Sequence, residues 1–260
     1  MPQTEEMSEY HPEPYWSDVA KRIKARKGKN VIAGDDEPYY RYKRERFLSL
    51  FHEVDFTGKK VLEIGSGPGG NLKELLSRSA KSLTGVDISP DMVELAKSNL
   101  PPEVNIIKVN GTSLPFEDRS FDIVFTATVL QHNTDEGMLK QLMAELCRVS
   151  GDRVFLFERI EDEVIGDALC YGRPVSYYEN ICRQQGFELV SSKWINIRSS
   201  YYISGAIRKG LNSKDRVEGE ALNGISVFLQ KLTLPVTRQL DKLFTSRKDI
   251  ARLEFKRIQP

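Results

Sequence analysis

The stretch VLEIGSGPGGN, Val61 to Asn71, constrains this chain most. Val61-Leu62-Glu63-Ile64 reads as a short buried strand, and it empties into a loop with glycines at 65, 67, 69 and 70. Such a loop brings backbone N–H groups close to a ligand with no Cβ in the way. As G-x-G-x-x-G over Gly65, Gly67 and Gly70, with the acid Asp87 further on, it matches a dinucleotide fingerprint. The competing reading is a turn that serves tight packing alone.

The surrounding chain alternates. Leu83–Val86, Val104–Val109, Phe121–Thr126 and Val154–Phe157 are further apolar runs that read as buried strands. Between them, SPDMVELAKSNL opens with Ser89 as a cap and Pro90 at the first helical position. TDEGMLKQLMAELCRV carries Leu139, Leu142, Met143 and Leu146 on one side. Strand and helix in turn predict an α/β chain with a parallel sheet covered on both faces. Upstream, a helix is predicted after Pro38, with Tyr40, Arg44, Phe47, Leu48 and Phe51 on one face. Downstream, Pro174–Gln185 reads as a helix and Phe187–Asn196 as a strand. A long, partly helical stretch follows, and DIARLEFKR reads as a final strand.

Composition excludes several classes. With 38 basic against 37 acidic residues, no overall field draws the chain to nucleic acid. Cys147, Cys170 and Cys182 form no C-x-x-C pair, and the only histidines are His11, His52 and His132. A structural zinc site is not expected from that set, and reduced thiols in a cytoplasm are. The polar, acidic start does not read as a signal peptide, and no apolar run approaches the roughly eighteen residues of a membrane span.

Charge at the glycine loop separates two ligand classes. A dinucleotide would bring a pyrophosphate to the helix after the glycines, where Glu63 would repel it. The same carboxylate would attract an ammonium or sulfonium. Read as E-x-G-x-G-x-G over Glu63, Gly65, Gly67 and Gly69, the stretch resembles the first motif of class I S-adenosylmethionine-dependent methyltransferases. Three further segments resemble that family. Asp87 in LTGVDIS ends the second strand. NGTSLPFEDRSFDIVF resembles the family's stretch D-A-x-x-L-P-F-x-x-x-x-F-D, with Asn110 in place of its usual Asp. VLQHN follows the fourth strand. The resemblance spans about Lys60 to Glu158. It implies a doubly wound, seven-stranded, mostly parallel sheet with helices on both faces and S-adenosylmethionine as methyl donor. It also implies cofactor contacts from Glu63, Gly65, Gly67, Asp87, Asn110 and Gly111, with Asp87 on the ribose hydroxyls and Asn110 near the adenine amino group.

The expected organisation is an N-terminal helical lid over residues 1–58, a cofactor-binding core over 59–198, a helical insertion over 199–248 and a last core strand over 249–260. By the same resemblance, Arg44 meets the methionine carboxylate, with Arg41, Lys43 and Arg46 as alternatives. Tyr39, Tyr40 and Tyr42 are lid or core residues. The basic run Lys21 to Lys29 meets phosphate or headgroups, or is a solvated helix face. Residues 199–260 hold twelve Lys or Arg against six Asp or Glu. The insertion there covers the substrate with Phe228 and Leu232 beneath or around it, rests peripherally on a membrane, or is a helical pair packed on the sheet edge.

The expected activity is O-methyl transfer to a small molecule or glycan, such as a lipid-linked precursor, by a monomer or homodimer. His132 is the candidate base, with the alternative that it only packs. Glu158 and Arg159 at a strand end come next, or else form surface ion pairs. Thr126-Ala127-Thr128 offers no carboxylate to a metal, so no metal is expected. N-methylation of an amine and non-catalytic cofactor binding are the remaining alternatives.

Overall fold

The computed structural model describes residues 11–25, 37–213, 220–247 and 249–258. Two helices lead, α1 (Pro12–Ala25) and α2 (Pro38–Phe51). Then β1 (Lys60–Ile64), α3 (Gly70–Leu75), β2 (Ser82–Asp87), α4 (Pro90–Asn99), β3 (Asn105–Lys108), β4 (Phe121–Ala127), α5 (Glu136–Val149) and β5 (Ser150–Ile160) alternate. A small ribbon of β6 (Ile165–Asp167) and β7 (Cys170–Gly172) follows. The chain closes with α6 (Val175–Gln184), β8 (Phe187–Trp194), α7 (Arg198–Leu211), α8 (Gly224–Leu243) and β9 (Asp249–Arg257). The main sheet has seven strands in the order β3-β2-β1-β4-β5-β9-β8. Its first five pair in parallel, and β9 runs antiparallel to both β5 and β8. From β1 the chain builds outward first through β2 and β3, then through β4 and β5. That reversal places a crevice at the C-terminal ends of β1 and β4, where open α/β sheets take ligands.

Alternation along the strands builds a core on each face. Leu62, Ile64, Val124 and Leu156 point to α5 and α6, meeting Leu142, Leu146 and Tyr178. Val61, Ile123, Phe125 and Phe157 point the other way, to α2, α3 and α4. There Phe51 sits 5.4 Å from Phe125 and 5.5 Å from Phe157, edge to face. The expected lid over 1–58 therefore divides. α2 is part of this core, with Tyr39, Tyr42, Phe47, Leu50 and Phe51 buried, whereas Tyr40 and Leu48 are only half-buried. α1 lies apart, docked on α4 through Val19, Ala20, Ile23 and Met92. The basic run contributes only Lys21 to Ala25 to α1. Its remainder, 26–29, lies outside the described residues.

The insertion forms a helical pair that packs on α2, with Gln230 Oε1 accepting from the Tyr39 N–H at 3.3 Å. Phe228 and Leu232 correct an expectation. They are 62% and 64% exposed and line no acceptor pocket. The β6–β7 ribbon has no counterpart in the sequence reading.

Candidate active site

A cavity of about 460 Å³ occupies the crevice, within the range of small-ligand sites. Its floor is the glycine loop. Gly65 has φ +71°, and a Cβ there would lie 2.3 Å from Val129 Cγ2, so the loops after β1 and β4 meet at a distance only glycine permits. Gly67 has φ +50° and open space where a Cβ would stand. Asp87 holds this floor in shape: Oδ2 accepts from the Gly67 N–H at 2.8 Å and Oδ1 from the Ser89 N–H at 2.9 Å. Each oxygen keeps a second lone pair, and the carboxylate lines the cavity.

Glu63 is 1% exposed. Its Oε1 accepts from Asn71 Nδ2 at 2.6 Å, and its Oε2 has no partner. Burial pushes its carboxyl up to about 8, against the pull of the Asn71 bond and the Arg44 charge. A buried, half-satisfied carboxyl facing a cavity fits a cationic group and disfavours an anionic one. Arg44 donates to Asn71 Oδ1, so Arg44, Asn71 and Glu63 form one chain along the wall. Of the alternatives to Arg44, Lys43 also lines the cavity but its Nζ donates to Asp249 Oδ1 at 2.8 Å. Arg46 turns to the Ile195 carbonyl, and Arg41 is exposed outside the wall.

Asn110 departs from its expected place. Its Oδ1 accepts from the N–H groups of Thr112 and Ser113 at 3.0 and 2.9 Å, closing its own loop, and it is absent from the cavity wall. Its neighbour Gly111, at φ +88°, lines the wall instead.

Glu158 is corrected as well. It is fully buried behind the wall and accepts from the N–H groups of Val129 and Gln131 at 3.1 and 3.2 Å. Burial raises its carboxyl to about 6, opposed by those bonds. It holds a turn and does not line the cavity. Arg159 pairs with Glu161 at 3.1 Å.

The turn that Glu158 holds presents Gln131 and His132 to the cavity. The Arg159 N–H donates to Gln131 Oε1 at 3.1 Å, which orients the amide. Gln131 Nε2 then donates to His132 Nε2 at 3.1 Å, and His132 Nδ1 donates to the Leu169 carbonyl at 2.9 Å, because a carbonyl only accepts. The proton is thereby fixed on Nδ1, and the lone pair on Nε2. Thr128, at φ +58°, makes the sharp exit from β4; for a β-branched residue this is a strained conformation.

Sequence reasoning missed Trp16. Its ring meets His132 edge to face at 5.0 Å, and with Pro12, Val19 and Ile23 it roofs the cavity from α1. Asn71 and Gln131 were missed too, since a single amide side chain carries no pattern of its own. Among the described residues, no group of three His, Cys, Asp or Glu could hold a metal.

Comparisons with known proteins bear on this site. Residues 61–151 match the family model for a methyltransferase domain. An O-methyltransferase from Penicillium expansum, cnsE, is 27% identical over 203 residues, 72% of this chain and 68% of that protein. Other curated relatives are matched over 7% to 35% of their lengths. Among solved structures, magnesium protoporphyrin IX methyltransferase from Synechocystis, with bound S-adenosylmethionine, aligns with TM-score 0.56 and 14% identity over 94% of each chain. The [4+2]-cyclase SpnF aligns with TM-score 0.58 and 17% identity, over 84% of this chain and 82% of that one.

Proposed function

We infer that this chain, a class I S-adenosylmethionine-dependent methyltransferase, transfers the methyl group to an oxygen of a small-molecule acceptor, with His132 Nε2 as proton acceptor and no metal. S-adenosylmethionine supplies a methyl group on a sulfonium, whose neutral leaving thioether needs little help. The residues that fit it are Glu63 for the ammonium, Arg44 for the carboxylate and Asp87 for the ribose hydroxyls. Gly65 and Gly67 let the backbone approach, and Gly111 does the same on the opposite wall.

The fixed tautomer of His132 carries the reading. A hydroxyl nucleophile must lose its proton, and a positioned base contributes about 10²–10⁴ in rate. Nε2 is a lone pair aimed from the wall, and a hydroxyl that displaces the Gln131 amide would find it. Thr126-Ala127-Thr128 offers only hydroxyls, poor ligands for a catalytic divalent ion. Trp16, Met138, Leu142 and Ile250, also on the wall, are apolar. They suit a hydroxyl on an apolar body better than a glycan, and the O-methyltransferase relative favours oxygen.

Product mass spectrometry with a panel of phenols, quinols and sugars identifies the acceptor. With that acceptor, His132→Ala is expected to lower kcat by about 10²-fold or more, and EDTA to leave it unchanged. An unchanged kcat in His132→Ala would instead indicate an amine acceptor, which needs no strong base.

A further inference from the structure

Helix α8 is built inside out. Its buried side chains are Ser226, Gln230, Thr237 and Asp241, all polar. Its outward face carries Ile225, Phe228, Leu232, Val236 and Leu243, each between 61% and 74% exposed. At 100° per residue these five fall on one stripe, and at about 1.5 Å per residue the helix is about 30 Å long. The inward face is matched by α7, whose buried residues are Ser200 and Ser204. Ser200 Oγ donates to Asp241 Oδ2 at 2.6 Å and lies 2.9 Å from the Thr237 hydroxyl, while Asp241 Oδ1 accepts from the Ser199 N–H at 2.6 Å. Ser204 Oγ apart, the buried polar side chains are satisfied within the pair or against α2, and the apolar ones are left outside.

Charge beside the stripe is one-sided. α7 and α8 together carry Arg198, Arg208, Lys209, Lys231, Arg238 and Lys242 against one acid, the buried Asp241. A groove of about 640 Å³ between α8 and α2 opens next to the stripe. It is lined by four cationic side chains, Arg46, Lys231, Arg238 and Lys242, and two carboxylates, Glu45 and Asp241. Both carboxylates are already engaged, Glu45 by Arg238 at 2.6 Å and Asp241 by α7. Pro235 and Gln239 border groove and stripe alike.

We propose that the α7–α8 pair is a lipid-docking element that lays the α8 stripe into the surface of an anionic bilayer, with the basic groove taking headgroup phosphate. An apolar face with a cationic rim is the chemistry of helices that lie in the interface. No described helix is long and apolar enough to cross a membrane, so α8 lies on the surface rather than spanning it. A second copy of the chain offers this face no exposed acid from α7 or α8 to meet the cations. Anionic lipid supplies both the negative charge and the apolar phase. Arg208 of α7 donates to the Tyr40 hydroxyl at 3.0 Å, and Tyr40 lines the ligand cavity. Docking therefore seats the cavity close to the bilayer.

Vesicle flotation of the full chain tests this. Vesicles of about three parts phosphatidylcholine to one of phosphatidylserine should carry the protein, and pure phosphatidylcholine should carry far less. Phe228→Ser with Leu232→Ser should weaken binding at least about tenfold, and Lys231→Glu with Lys242→Glu should do the same. All four positions are exposed, so melting temperature and adenosylhomocysteine affinity should stay unchanged. Absence of flotation on anionic vesicles, or equal flotation on neutral ones, would overturn the proposal. So would a dimer in gel filtration that the Phe228/Leu232 variant dissociates, since the stripe would then belong to a second copy. Flotation and methyl transfer are separate readouts, so failure of one leaves the other standing.

Discussion

Glu158 and Arg173 grip one turn by its two polarities. The carboxylate accepts the N–H groups of Val129 and Gln131, while the guanidinium donates to the carbonyls of Leu130 and Asn133 at 3.0 and 2.9 Å. Both side chains are fully buried. Together they satisfy the backbone of the segment that presents Gln131 and His132, so the proposed base is positioned by groups that lie outside the cavity lining.

Removing one partner should expose this division of labour. Glu158→Ala strands two backbone donors in the interior, at about 1–3 kcal/mol of stability each. Glu158→Gln keeps an acceptor and should lose less. In the folded Gln variant, kcat should fall while adenosylhomocysteine affinity, measured by calorimetry, holds within about twofold. Equal loss of both would mean that the carboxylate supports the whole cavity rather than the turn.

Glu63 predicts a pH dependence. Its carboxyl is raised to about 8 in the free protein, so at neutral pH it is mostly protonated. A ligand ammonium favours the charged form, hence binding releases a proton. Affinity should climb with pH from 6 toward about 8, by at most about tenfold per unit, and then flatten. Calorimetry of adenosylhomocysteine in buffers of different ionisation enthalpy counts the proton. Glu63→Gln should abolish both proton release and slope; a slope that survives assigns it to another group.

Linkage also gives a sign for the free protein. A carboxyl raised on folding contributes stability that is complete below its unfolded value and is lost as pH rises through its folded value. Urea midpoints of the ligand-free chain should therefore decline between about pH 5 and 8 through Glu63, and the decline should shrink in Glu63→Gln.

The close approach at Gly65 is testable by rescue. Gly65→Ala meets Val129 Cγ2 at 2.3 Å and holds alanine at φ +71°. The left-handed backbone alone costs about 1–2 kcal/mol, and the clash adds to it. Val129→Ala removes the clash but not the backbone cost. The double variant should melt higher than Gly65→Ala and lower than the parent. No recovery would show that the loops part freely.

How much of this was legible in the sequence differs by element. The inner strands announced themselves because parallel strands buried on both faces read as predominantly apolar runs, as Val61–Ile64 and Phe121–Thr126 do with one acid each. Glu63 and Asp87 were legible because they adjoin strand ends whose geometry the glycines fix. The β6–β7 ribbon was not, since the β6 residues Ile165, Gly166 and Asp167 are all exposed and bury no pattern. Glu158 was misplaced because a strand end adjoins both the crevice and the neighbouring loop, and only the course of the chain after β4 decides between them. α8 misled for a physical reason: amphipathic periodicity locates a face, and polarity conventionally assigns it inward. Here α7 offers serines, so the assignment reverses.

Truncation before Glu37 should separate roof from core. α1 touches the body through α4 and the cavity rim, with Ser17 Oγ and Ser89 Oγ 2.9 Å apart. The shortened chain should stay folded, because α2 and its phenylalanines remain. Its affinity for adenosylhomocysteine should drop at least about tenfold, given the apolar area that Trp16, Val19 and Ile23 take from water. Trp16→Ala should reproduce part of that loss.

The joint between α7 and α8 carries a thermal consequence. Apolar burial is what gives protein contacts their large heat capacity and weakens them in the cold. The fully buried side chains of this joint are serine, threonine, glutamine and aspartate, so parting it changes heat capacity less than parting an apolar joint of the same size. Chilling that loosens the phenylalanine cluster leaves these hydrogen bonds nearly untouched. Native-state hydrogen exchange should accordingly find the pair opening as its own unit, with a free energy almost flat across temperatures over which the rest of the chain traces its usual dome.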